Sequence, residues 1–243
     1  MQRDWQVTRN IVDSKLPAKE KALYEAKAKE EDGYVEFYEQ RQDWIIEKDP
    51  ETFAKTNRIW QFEYLRDRDL PRDATFLDYG CGPAAAGVYF IEYLDAGKYM
   101  GVDISRKSID VGDALIRTRG LLAKQPRLLY TPKGDLSPLE GEQFDIIWAQ
   151  SVLTHLPPEA IEKVLHRLRP HMHAGSRFYS SISRIENGIV QQQLHNWYQD
   201  LAFYEAVSPG AGLKVSVMEG WVHPYQHNMM EGATSTLLKF TPA

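Results

Sequence analysis

The 243-residue sequence predicts an α/β fold in which a mostly parallel sheet carries helices on both faces. Three observations support this prediction. Short apolar segments typical of buried strands alternate with helical periodicity over residues 75–183. A tight turn containing Gly80 and Gly82 follows the first of these strands. Acidic residues, Asp78 and Asp103, stand at the ends of the first two strands, one βαβ unit apart.

Composition excludes several classes of protein. Hydrophobic residues make up 43% of the chain, as in an ordinary globular protein, and the formal net charge is −5. This acidic balance disfavours a nucleic-acid partner. No apolar segment approaches the ~20 residues that span a membrane, and the N-terminus lacks the apolar core of a signal peptide. With a single cysteine and no internal disulfide, we expect a cytoplasmic protein.

A helical cap is predicted over residues 1–68. A second domain is predicted to follow it, over residues 69–243. A charged helix is predicted from Lys19 to Glu31, and aromatic residues then follow at helical spacing as far as Leu65. These aromatic stripes form either plain core or a lid over a ligand cavity. Residues 1–15 show no period, and we expect them to be loosely packed.

Seven strands are predicted in all. The late ones lack a full helix between them, which suggests a hairpin at the sheet edge. Residues 188–206 are predicted to be helical, with Trp197 and Tyr204 on one side. The first predicted strand ends at Phe76–Leu77. The other six are Tyr99–Asp103, Arg127–Tyr130, Phe144–Gln150, Ser176–Ser183, Leu213–Trp221 and Thr234–Phe240.

The glycine turn has the character of a ligand-binding loop. Glycines permit the turn and let the backbone approach a ligand closely. Pro83 and the alanines after it predict that a helix begins there. Asp78, two residues before Gly80, would repel a pyrophosphate and attract a cation. A carboxylate at Asp103 can accept two hydrogen bonds at once, which suits ribose hydroxyls.

The segment Leu77–Pro83 resembles the first motif of the class I S-adenosylmethionine (SAM)-dependent methyltransferases. Gly134–Leu136 resembles the third motif of that family, and Ser151–Glu159 resembles the fourth. The resemblance implies a Rossmann-like, seven-stranded sheet in the order 3-2-1-4-5-7-6, with the last strand antiparallel. It also implies SAM as the cofactor and S-adenosylhomocysteine (SAH) as the product.

The resemblance assigns cofactor contacts position by position. Asp135 would accept a hydrogen bond from the adenine amino group, while the neighbouring Leu136 would pack on the ring. Backbone groups near Ala149 and Gln150 would contact the methionine part. The predicted cofactor-binding residues are Asp78, Tyr79, Gly80, Gly82, Asp103, Ile104, Asp135, Leu136, Ala149 and Gln150.

Other residues of the motifs have separate predicted roles. His155 follows the fourth strand and is the catalytic candidate, because a neutral imidazole can take a proton from an attacking hydroxyl or amine. A structural role or a place in the cofactor pocket is the alternative. His223 and His227 are candidates for substrate contact, and no metal site is predicted. Ala84 stands where many family members have glycine, so a positive φ there would cost energy.

The sequence thus predicts a SAM-dependent methyltransferase that acts on an O, N or other nucleophile of a small-molecule or metabolite substrate. No Asn-Pro-Pro-Tyr or Asp-Pro-Pro-Tyr segment occurs, which disfavours relatives that methylate amino groups of DNA or RNA or the side chain of glutamine. One alternative is an NAD-dependent oxidoreductase, since residues 80–85 also fit the dinucleotide fingerprint with Asp103 further on. The other is a non-catalytic, methyltransferase-like binding protein.

Overall fold

The computed structural model describes residues 5–10, 17–27, 33–48, 58–192, 196–224 and 229–243. The chain divides into two compact units. We call Lys29–Trp148 the glycine-loop unit, and Met1–Ala28 together with Ala149–Ala243 the C-terminal unit.

The described residues form ten strands and seven α-helices, joined by short 3-10 turns. In chain order the strands are β1 (Val7–Asn10), β2 (Phe76–Tyr79), β3 (Tyr99–Asp103), β4 (Arg127–Tyr130), β5 (Ile146–Ala149), β6 (Arg177–Arg184), β7 (Ile189–Gln192), β8 (Asn196–Gln199), β9 (Leu213–Val217) and β10 (Thr234–Pro242). The helices are α1 (Ala18–Lys27), α2 (Gly33–Lys48), α3 (Ile59–Arg66), α4 (Gly87–Tyr93), α5 (Arg106–Thr118), α6 (Pro158–Leu168) and α7 (Leu201–Val207).

The glycine-loop unit is built on four parallel strands in the order β4-β3-β2-β5. Every residue of β2, β3 and β5 is buried, which is the pattern of parallel strands covered on both faces. Asp78 pairs with Gly101, and Asp103 pairs with Tyr130. The register therefore brings the carboxyl ends of β2, β3 and β4 to one edge.

Aromatic rings form much of the core beneath this edge. Phe90 of α4 stacks on Phe76 of β2, with 4.6 Å between the ring centroids, and neither side chain is exposed. Phe62 of α3 meets Phe90 edge-on at 5.7 Å. Such pairs add to the stabilisation from apolar burial. The rings fix α3 and α4 against the sheet that carries the glycine loop.

The C-terminal unit holds the strands in the order β1-β7-β8-β6-β10-β9. Strand β10 runs antiparallel to both β6 and β9, between which it lies. This confirms the predicted antiparallel last strand. The predicted α/β class is likewise confirmed. The seven predicted strands correspond, in chain order, to β2, β3, β4, β5, β6, β9 and β10. In that numbering the glycine-loop unit has the predicted order 3-2-1-4, and the C-terminal unit has the predicted order 5-7-6. The strand count is ten rather than seven because β1, β7 and β8 were not predicted.

Two predictions about this unit are wrong. Residues 188–206 are not one helix: β7 and β8 pair antiparallel, and only α7 is helical. Ile189 and Trp197 are strand-favouring residues that lie buried, and strand pairing overrides the apparent helical spacing. Residues 1–15 were expected to be loosely packed, yet β1 pairs in parallel with β7 over four residues. A strand this short carries too few positions to reveal its period.

The helices of the described segments are short or polar. None of those found there has both the length and the apolar character that crossing a bilayer requires.

Candidate cofactor and acceptor sites

The glycine loop makes three left-handed turns at alternate residues. The φ angles are +75° at Gly80, +54° at Gly82 and +53° at Ala84. The backbone amides of Gly80 and Cys81 both donate to the carbonyl of Val102, at 2.8 and 3.1 Å, and tie the loop to the end of β3. A Cβ placed on Gly82 would meet nothing within 4 Å. The backbone is therefore open to close approach by a ligand at this glycine.

Ala84 adopts the left-handed conformation whose cost the sequence analysis anticipated. Its side chain is fully buried and lies 3.1 Å from where a Cβ on Gly87 would stand. Packing therefore offsets part of the strain. The predicted helix start at Pro83 is wrong, because the turn at Ala84 delays helix α4 until Gly87.

Cys81 fills the space beneath the loop. Its Sγ lies 2.9 Å from where a Cβ on Gly101 would stand, and its thiol donates to the carbonyl of Gly82 at 3.4 Å. Burial raises the pKa of the thiol well above its usual range. The side chain is a neutral filler that shapes the loop.

Asp103 joins the end of β3 to the glycine loop. Its Oδ2 accepts from the Gly82 amide and its Oδ1 from the Ser105 amide, each at 2.8 Å. Burial raises the pKa of this carboxyl to about 6, against the opposing effect of the two amides. Each carboxylate oxygen keeps a second lone pair. Asp103, followed by the half-buried Ile104, can therefore still accept two ribose hydroxyls.

Asp78 lies in a more enclosed position than the sequence analysis supposed. It is buried beside Tyr79, and its Oδ2 accepts from the Tyr99 hydroxyl at 2.7 Å. Burial raises the pKa of the Asp78 carboxyl to about 7, although the bond from Tyr99 acts in the opposite direction. A cation nearby would favour the ionised form. The site thus contains an acid whose charge responds to its surroundings.

The third predicted segment follows β4 through a short 3-10 turn. Asp135 is exposed, and its carboxylate accepts from the amide and the hydroxyl of Ser137 at 2.9 and 2.7 Å. Leu136 beside it is buried. An exposed acceptor next to an apolar side chain suits an adenine ring with its amino group.

Helix α2 carries an acidic face that was not predicted from the sequence. Four acids at helical spacing each contact a group that ends or follows β3 or β4, and Asp43 also raises the pKa of Asp103 by its charge. The spacing of these four acids, at i, i+3, i+7 and i+11, could have revealed from the sequence that they share one face of a helix. It could not have revealed the residues that they contact. The pairs are Glu36 with Lys133, Glu39 with Tyr130, Asp43 with Ser105 and Glu47 with Lys107.

In the C-terminal unit, the last residue of β5 and the turn after it are held by serines of β6. The Ala149 carbonyl accepts from the Ser180 hydroxyl at 3.1 Å, and the Ser151 amide donates to the Ser181 hydroxyl at 2.8 Å. Ser151 has a φ of +56°, a strained conformation that often marks functional sites. Gln150 donates to the Ser151 hydroxyl at 2.9 Å, while its buried Oε1 has no partner among the described groups.

A cavity of about 190 Å³ opens beside this turn, within the C-terminal unit. His155 lies on it at the end of a 3-10 turn, and so does His223, the predicted substrate contact. His227 lies outside the described residues. The lining residues are Ser151, Thr154, His155, Ser181, Ser183, Asn196, Tyr198, His223, Met229 and Ser235.

A family model described as a methyltransferase domain matches residues 77–178. A "probable methyltransferase ltbC" of Aspergillus luteorubrus is 26% identical over 110 residues, which are 43% of this chain. The match spans only 36% of that relative's own length.

Solved structures share the fold. Magnesium protoporphyrin IX methyltransferase of Synechocystis PCC 6803, with bound SAM, has a TM-score of 0.56 and 16% identity, over 96% of this chain and 100% of the other. A TehB-like SAM-dependent methyltransferase of Corynebacterium glutamicum has a TM-score of 0.58 and 21% identity, over 84% of this chain and 99% of the other. These comparisons do not support the oxidoreductase or the non-catalytic alternative.

Proposed function

Since the chain belongs to the class I SAM-dependent methyltransferases, as its motifs suggested, we propose that it transfers a methyl group from SAM to a nucleophilic atom of a small molecule. The observation that carries the proposal is the bond between the Gly82 amide and Asp103. It joins a loop open to a ligand with a carboxylate that has acceptor capacity left. SAM, when bound, supplies a methyl group already activated by a positively charged sulfur.

In this proposal the residues of the glycine-loop unit hold the nucleoside. Asp103 accepts from the ribose hydroxyls, with Ile104 beside it. Asp135 accepts from the adenine amino group, and Leu136 packs on the ring. Gly82 allows close backbone approach. Binding that fixes the geometry of both reactants supplies most of the rate, because no covalent enzyme intermediate is needed.

The remaining predicted residues complete the proposal. Tyr79, Gly80, Ala149 and Gln150 contact the methionine part through backbone groups, and Asp78 favours a cationic ligand once it is ionised. His155 acts as the general base when the attacking atom carries a proton. Residues 1–68 act as a cap on the domain formed by residues 69–243. The acidic face of α2 gives this cap specific contacts in the glycine-loop unit.

Calorimetric titration tests the function directly. We expect SAM and SAH to bind at one site per chain and NAD not to bind. Release of SAH in the presence of a panel of small acceptors then identifies the substrate. Binding of NAD without binding of SAM or SAH would overturn the proposal.

A further inference from the structure

Several hydroxyl groups of the cavity in the C-terminal unit are arranged to donate hydrogen bonds to a ligand. Four of its hydroxyl oxygens already accept a hydrogen bond from a nitrogen of the protein, at 2.8 to 3.3 Å. No group in the described part of the chain takes the hydrogens of these hydroxyls, so the hydrogens remain to be donated. The accepting pairs are Ser151 with Gln150, Ser181 with Ser151, Ser235 with Trp221 and Tyr198 with Met230.

The described residues that line the cavity also share a lack of acidic and strongly basic side chains. None of its ten lining residues in the described part of the chain is an aspartate, glutamate, lysine or arginine. Residues 225–228, next to the lining residues His223 and Met229 in sequence, are Tyr-Gln-His-Asn and add no such charge. A charged ligand group buried among these described residues would find no counter-ion and would lose its hydration. The lining therefore disfavours both ammonium and carboxylate groups.

Resting on the function proposed above, we infer that this cavity binds the methyl acceptor, and that the acceptor is a small, neutral, oxygen-rich molecule methylated on a hydroxyl. The donor hydroxyls match oxygen atoms of such a ligand. Ser151 directly follows Gln150, the residue assigned to the methionine part of the cofactor. The volume is below the ~300–1,000 Å³ of sites for drug-sized ligands, so the part of the acceptor that enters the cavity is small.

The transfer step balances without another reactant. The acceptor hydroxyl gives its proton to a nitrogen of His155 while its oxygen forms a bond to the methyl carbon. The bond between that carbon and sulfur breaks, and its electron pair stays on sulfur, which becomes a neutral thioether. One positive charge is lost from sulfur, and one appears on the imidazole. His223, on the same cavity, is placed to hydrogen-bond and position the acceptor.

Three polyols that differ only at one terminal group test the inference: sorbitol (neutral), gluconate (anionic) and glucamine (cationic). Each is titrated into the protein saturated with SAH, and the ring proton signals of His155 and His223 are followed by NMR. The variants His155→Gln and His223→Gln assign these signals among the seven histidines. Sorbitol should shift both signals. Each charged polyol should bind at least about tenfold more weakly.

A variant of the lining should reverse the preference. Ser183→Asp introduces a carboxylate into the cavity, and glucamine should then bind more tightly than sorbitol. Ser216→Asp is the matched control, because Ser216 is an exposed serine of β9 outside the lining, and it should keep the preference for sorbitol.

The outcomes separate this inference from the proposed function. If gluconate or glucamine binds the parent protein as tightly as sorbitol, or if no polyol shifts either histidine signal, the inference is overturned while SAH binding still supports a methyltransferase. If calorimetry shows that SAH itself does not bind the same protein preparation, the proposed function fails first. Titration of the parent protein alone distinguishes these outcomes, so the test holds even if Ser183→Asp does not fold.

Discussion

The two units of the protein bury polar groups of opposite kinds. The glycine-loop unit buries two carboxyl groups, Asp78 and Asp103, and burial raises the pKa of each. In the described part of the C-terminal unit the buried polar residues are serines, a threonine, glutamines and a histidine, with no carboxylate among them. A buried acid can respond to a cation, whereas buried hydroxyls form a neutral lining. The contrast suits a cationic cofactor and an uncharged acceptor.

The largest expected effect is a pH dependence of stability that originates in the glycine-loop unit. The pKa of Asp78 rises from 3.8 to about 7 on folding, so the folded chain holds a proton that the unfolded chain releases. The contribution of Asp78 to stability is therefore fully present below its unfolded pKa and is lost as pH rises through its folded pKa. The change corresponds to roughly 4 kcal/mol at face value. The Tyr99 hydroxyl and the charge of Asp103 are the groups that modulate it.

Urea unfolding at about pH 5 and about pH 8 measures the part of this loss that falls above pH 5, which is roughly 2–3 kcal/mol. Asp78→Asn should remove most of it, because the buried group can no longer ionise. Asp145→Asn, which changes an acid bonded to Thr75 in the same unit, should retain it. An unchanged pH dependence in Asp78→Asn would show that the effect originates elsewhere.

The next prediction compares two glycine-to-alanine variants, to separate the cost of backbone strain from the loss of contact with a ligand. Gly82 and Gly97 both have positive φ, and a Cβ on either would meet nothing within 4 Å. Changing each to alanine should therefore cost a similar ~1–2 kcal/mol of stability. Only Gly82→Ala should also weaken SAH binding, by about tenfold or more, because only that Cβ would occupy the ligand's space. Equal affinities for SAH in the two variants would contradict the assignment of the loop.

The smallest effect concerns the acidic face of α2. Asp43→Ala removes the acceptor of the Ser105 hydroxyl, bonded at 2.7 Å, and should lower stability by ~1 kcal/mol. Glu47→Ala breaks an ion pair with side chains 41% and 55% exposed, and should therefore cost less stability than Asp43→Ala. Urea unfolding at one pH compares the two variants. A larger loss for Glu47→Ala would mean that α2 is held mainly by its exposed charges.

The features that could be predicted from the sequence are those set by local patterns of residues. Buried strands, the glycine turn and the acids at strand ends all depend on residues close together in the chain. The contact between Asp43 and Ser105 spans 62 positions, and that between Glu39 and Tyr130 spans 91. No periodicity could reveal such partners. The hairpin of β7 and β8 was mistaken for a helix because its strand character depends on pairing, which a short segment does not display.

The sequence also could not predict which hydroxyl groups of the cavity are left with a hydrogen to donate. Ser181 and Ser183 alternate along β6, so the sequence could place them on one face. It could not indicate that Ser181 accepts from Ser151 and keeps its own hydrogen to donate. That property depends on the left-handed turn at Ser151, which no residue preference predicts.

The most direct test of the ribose site is calorimetric titration of Asp103→Ala with SAM and with SAH. Both ligands should lose roughly 30- to 150-fold in affinity, or about 2–3 kcal/mol, because both present the same ribose to this carboxylate. Asp145→Ala is the matched control. It also removes an acid that accepts two hydrogen bonds, from the amide and hydroxyl of Thr75, but should leave both affinities unchanged. Parental affinity in Asp103→Ala would contradict the assignment of the ribose site at the end of β3.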